Sequence, residues 1–167
     1  AAELLLPELD SDVLERWKKF ILDVLLIDDP FTGMTPAEHL TAHLQGVKPR
    51  CSGTLRKSVA EGLALAANAS VLPNMRRFEG CVDNIVAQLF DEACQDASGN
   101  KLTRLSASFR LLAEASPNVF LDTLEEKLLT PQVVTKTPFH DTAEADGPFN
   151  NSSLHVGLLW ALETLCW

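Results

Sequence analysis

The sequence predicts an all-α protein, and three observations predict it. Apolar residues recur at helical spacing in every periodic segment of the 167-residue chain. No segment sustains the period-two alternation of a half-buried strand; Gln132-Val133-Val134-Thr135 is the one strand-like run, and it has no evident partner. Helix-starting and helix-stopping residues punctuate the chain at short intervals. The expected architecture is a set of antiparallel helical hairpins stacked as an irregular HEAT-like array or bundle, about seven helices in one domain over residues 1–167.

The first helix is expected over residues 12–28. Asp12 with Glu15 offers a capping box, Val13, Trp17, Phe20, Ile21, Val24 and Leu25 form one apolar stripe, and Asp29-Pro30 ends it. Thr35-Pro36-Ala37-Glu38 is a strong start signal, with cap, proline at the first position and glutamate at the third. That short helix closes at Gly46. A third helix starts near Ser52 to Thr54 and carries Leu55, Val59, Leu63 and Ala66 to about Ala69. Pro73-Asn74 opens a long fourth helix with Phe78, Val82, Ile85, Val86, Leu89 and Phe90, reaching about Gln95. Ser98-Gly99-Asn100 is a turn, and Leu102, Leu105, Phe109 and Leu112 mark the fifth helix. Ser116-Pro117 caps and starts the sixth, with Phe120, Leu121, Leu124 and Leu128, and Pro131 stops it. Gly62 and Gly80 fall inside expected helices, where each costs about 1 kcal/mol relative to alanine, and close helix crossing is the expected reason for them.

Residues 131–151 lack any period. Pro131, Pro138, Pro148 and Gly147 lie among Thr, Asp and Asn residues, which reads as a long surface loop. The terminal helix follows Ser152-Ser153 and is apolar nearly all round: Leu154, Leu158, Ala161 and Leu165 form one stripe, Leu159, Leu162 and Cys166 the next, Trp160 and Trp167 a third. Such a helix is expected to be buried on nearly all sides, yet no Gly, Asn, Lys or Pro closes it. Leu158, Leu159, Trp160, Leu162, Leu165 and Trp167 are therefore the candidate interaction surface, to be covered by further helices of a parent chain or by self-association.

Composition narrows the function classes. The formal net charge of −9 speaks against nonspecific binding to nucleic acid or acidic membranes. A local basic group, Lys48, Arg50, Arg56, Lys57, Arg76 and Arg77, has no interleaved aromatic residues to act as stacking platforms and reads as a solvated face. No uncharged apolar run is long enough to cross a membrane, and the opening Ala1 to Leu9 does not read as a signal peptide. Cys51, Cys81, Cys94 and Cys166 form no CxxC, and Cys81 and Cys94 lie too far apart on one helix to bridge; reduced thiols in a cytoplasmic protein are expected. The matches to the glycosylation pattern at Asn68 and Asn151 read as chance.

Chemistry-bearing patterns are sparse. His39 and His43 stand four apart with Glu38 beside them, but the order is not HExxH and no third ligand is fixed by spacing. His140-Asp141 and His155, with a cysteine, make an imaginable nucleophile set that no spacing demands. No GxSxG, GxxxxGK[ST] or GxGxxG occurs, and Asp122, Glu125 and Glu126 read as the wet face of an amphipathic helix. No cofactor, metal or catalytic residue is expected.

Three stretches, GTLRKSVAEGLALAANA (53–69), LLAEASPNVFLDTLEEKL (111–128) and SSLHVGLLWALETLCW (152–167), occur in this order in a family of very large bacterial proteins that resemble STAND-type signalling ATPases. The resemblance covers most of residues 53–167 and is weak before them. It implies a helical-repeat region downstream of a P-loop module, with further helices following the third stretch. Its motifs are packing motifs, so it transfers no catalytic residue, and the family's nucleotide-binding residues have no counterpart in this chain. The expected function is a non-catalytic scaffold or sensor segment of a larger bacterial ATPase. A free-standing protein-interaction adaptor is the rival, and a small hydrolase of unknown substrate ranks third. Limited proteolysis is expected to cut first within residues 131–151, leaving a helical fragment ending near Leu129; equal resistance there and in the helices would show a packed segment.

Overall fold

Apolar periodicity becomes helix wherever the chain is described. The computed structural model describes residues 11–28, 30–31, 34–42, 44–69, 80–128 and 154–166, with the side chains of Pro36, His39 and Leu40 also left aside. Among these residues there are eight α-helical segments and no strand. They are α1 (Ser11–Leu25), α2 (Pro36–Ala42), α3 (Gly53–Ala69), α4 (Cys81–Gln95), α5 (Asn100–Leu105), α6 (Phe109–Ala115), α7 (Pro117–Thr123) and α8 (Leu154–Leu165). A 3-10 turn, Ser106–Ser108, joins α5 to α6, and a π-helical turn, Leu124–Leu128, extends α7. The expected fifth helix is thus two helices, which accounts for the extra segment. The expected loop at 131–151 lies outside the described residues.

Local chemistry explains several boundaries. Thr35 and Glu38 form the expected capping box: the Thr35 N–H donates to Glu38 Oε2 at 2.7 Å, and the Glu38 N–H to Thr35 Oγ1 at 3.3 Å. The Thr35 N–H bond, and with it the Thr35 hydroxyl donating to the same Glu38 oxygen at 2.8 Å, holds the Glu38 carboxyl below its ordinary pKa. Gly46 closes that helix as expected, since its φ of 75° lets the Val47 N–H reach the Ala42 carbonyl at 3.0 Å. Ser52 caps α3, its Oγ accepting the Leu55 N–H at 3.1 Å.

Two expected caps act differently. Asp12 lies inside the first turn of α1 and pairs with Arg16 at 3.1 Å, so it does not cap. Ser116 precedes Pro117 at the start of α7, but its buried hydroxyl donates to Asp83 on α4 and caps nothing. The first helix also ends earlier than residue 28, with Leu26 buried just beyond its last turn. Phe20 falls off its stripe and is 48% exposed, while Ile21, Val24 and Leu25 are buried.

The centre of the molecule is α6. It packs against α3 on one side and α8 on another, and it also touches α4 and α7. Phe109, Leu112 and Ala113 on α6 are fully buried. Phe109 meets Phe90 of α4 and Phe120 of α7, with ring centroids 5.4 and 5.8 Å away, and Phe90 and Phe120 stand 5.5 Å apart. Around this triad α1 packs on α3 and α4, and α5 packs on α4.

The glycines overturn one expectation. Gly62 is exposed on α3, and a Cβ there would meet nothing within 4 Å, so no close crossing explains it. Gly80 does not sit within a helix: it precedes α4 with a φ of 73°, a left-handed conformation that favours glycine. Helix α4 starts at Cys81, and residues 73–79 of the expected longer helix lie outside the described residues. The close crossing occurs at Gly157 of α8, where a Cβ would stand 2.4 Å from the Ser106 carbonyl oxygen and 3.0 Å from its carbon.

These glycines make an opposed pair. Gly157→Ala is expected to destabilise the fold by about 1–3 kcal/mol, because backbone must move to admit the methyl group. Gly62→Ala is expected to stabilise it by up to about 1 kcal/mol, the helix-propensity difference at an open site. Urea titration of both variants checks the signs; a neutral Gly157→Ala would mean that α8 is free to shift.

Candidate interaction surface

Helix α8 is apolar nearly all round, but it buries only one face. Leu154 and Ala161 are buried, and Leu158, Leu162 and Leu165 are half-buried against the core. Its neighbours on that side are α6, the Ser106–Ser108 turn and α5. Gly157 permits the approach to the turn, and Ser106 is compatible with it because its hydroxyl is occupied, donating to the Thr103 carbonyl at 2.6 Å.

The opposite face is uncovered. Leu159 and Trp160 are each 55% exposed and Val156 is 41% exposed, with His155, Glu163 and Cys166 also exposed. Val156, Leu159, Trp160 and Glu163 follow the i, i+3, i+4, i+7 spacing of a single helix face. The expectation of burial on nearly all sides is therefore corrected to burial on one. The six candidate residues divide: Leu158, Leu162 and Leu165 lie on the packed side, Leu159 and Trp160 on the uncovered side, and Trp167 outside the described residues. Val156 joins the uncovered group and was not singled out from the sequence.

The imagined catalytic sets are not assembled among the described residues. The side chains of His39 and His43, and the whole of His140 and Asp141, lie outside them, and His155 is exposed at the start of α8. No group of three or more His, Cys, Asp or Glu residues arranged for a metal occurs among the described residues. Burial raises the pKa of Cys81 and of Cys94, the reverse of an activated thiolate; Lys18 opposes the shift at Cys81 and Lys127 at Cys94. All four cysteines are free. Asp122, Glu125 and Glu126 are exposed, as the wet face of α7 and its π turn requires. No helix among the described residues is long and apolar enough to cross a membrane.

An open cleft of about 1010 Å³ runs beside α1. Five basic side chains line it: Lys18, Lys19, Lys48, Arg50 and Lys101. Four carboxylates, Glu15, Asp23, Asp28 and Glu92, face the same space. The near-cancellation selects no sign of ligand, and it places two members of the sequence's basic group opposite acid that sequence order does not reveal. Of the others in that group, Lys57 pairs with Glu61 at 3.7 Å, and Arg76 and Arg77 lie outside the described residues.

A smaller hollow of about 140 Å³ adjoins the cleft beside Asp28, Asp96, Lys101 and Arg104. Its polar groups serve the fold. The half-buried Arg104 guanidinium donates to the Ile27 carbonyl just past the end of α1; burial disfavours its charge and Asp28 supports it. Asp96 accepts the Lys101 N–H at 3.0 Å and the Ser98 N–H at 3.1 Å, which anchors the first turn of α5. The Lys101 bond leads in holding the Asp96 carboxyl below its ordinary pKa.

No family model matches the chain, and neither the curated proteins nor the solved structures contain a significant match to it.

The Asp96 geometry has a pH consequence. Because the folded-state pKa is depressed, its contribution is present above the unfolded-state value and is lost as pH falls through the lower folded value. Asp96→Ala is expected to cost about 1 kcal/mol near pH 7, as loss of a helix-capping acceptor does. The gap between variant and parent in urea titrations should close on acidification below the ordinary aspartate range. A gap that widens there would exclude the ionised carboxylate as the acceptor.

Proposed function

We propose that this chain is a non-catalytic helical scaffold or sensor segment of a larger cytoplasmic bacterial ATPase, passing a change of packing to a distant nucleotide switch. The observation that carries this reading is the uncovered apolar face of α8, Val156, Leu159 and Trp160, on a helix whose other face is committed to the core. Scattered apolar residues are ordinary on a protein surface, but an apolar row on one helix face is the feature of a protein contact. The resemblance supports the same reading from a different direction. Its three stretches lie on α3, on α6 with α7, and on α8, and α6 packs between α3 and α8. That the three stretches on which the resemblance rests pack as neighbours supports reading them as packing motifs.

The reading frame encoding this segment is expected to carry a GxxxxGK[ST] P-loop upstream in the same polypeptide. A frame without one defeats the ATPase reading and leaves a free-standing adaptor. The 167-residue chain itself is expected to give no saturable heat on calorimetric titration with Mg-ATP. A stoichiometric site of micromolar affinity would overturn the non-catalytic assignment.

A further inference from the structure

We draw no further inference here: the strongest candidate, the uncovered apolar face of α8 formed by Val156, Leu159 and Trp160, carries nothing beyond the reading already given, because nothing in the structure shows what covers it.

Discussion

The contact of Phe90, Phe109 and Phe120 fixes where α6 lies, and α3, α4, α7 and α8 all pack directly on α6. All three rings are fully buried, with tilted or edge-on geometry and centroids 5.4 to 5.8 Å apart. Each comes from a different helix, so the cluster ties α4, α6 and α7 at one point. Truncating one such ring typically costs about 3–5 kcal/mol, a large share of the 5–15 kcal/mol that holds a domain folded. Helix α6 has only seven residues, too few to be stable alone, and it persists because packing supplies what local propensity does not.

Polar groups appear in the interior chiefly where the helices break. The Ser106–Ser108 turn separates α5 from α6, and both serines are buried. Ser106 satisfies its hydroxyl on the preceding turn, so its backbone is presented to α8 without an unpaired side-chain donor. Gly157 then brings α8 against that backbone. At the next break Ser116 bonds to Asp83 of α4, and at the π turn Lys127 pairs with Asp91 of the same helix. The two struts stand eight residues apart on α4 and hold α7 along it, on either side of the phenylalanine contact. Interruptions of one long helical run thus supply the geometry that lets α3 and α8 both reach α6.

Periodicity was enough to read the fold class and most of the helices, because it reports which residues turn inward on a single element. Capping boxes and C-terminal glycines were readable where their partners are local, as at Thr35–Glu38 and Gly46. What failed depends on partners distant in sequence. Ser116 reads as a cap until Asp83, thirty-three positions away, takes its hydroxyl. The apolar spacing of Leu102, Leu105, Phe109 and Leu112 continues unbroken through the 3-10 turn, so no local signal marks the break. Gly62, Gly80 and Gly157 look alike in sequence, yet one is open, one turns the chain and one admits a neighbouring backbone. The cleft beside α1 was invisible for the same reason: its basic and acidic residues come from segments that only the fold brings together.

The half-covered state of α8 follows from the same distinction between local and distant information. A side chain exposed in both the folded and the unfolded chain contributes almost nothing to the folding equilibrium, whatever its hydrophobicity. Leu159 and Trp160, each 55% exposed, therefore contribute less to the fold than their hydrophobicity suggests, while Leu154 and Ala161, which lose their contact with water, help to place the helix. Sequence hydrophobicity alone cannot separate the two groups, since each consists of apolar residues at helical spacing. The consequence of an uncovered apolar face is felt in association and solubility, where water is removed only when a second surface arrives. In α8, then, one face specifies the fold, and the other stays largely in contact with water.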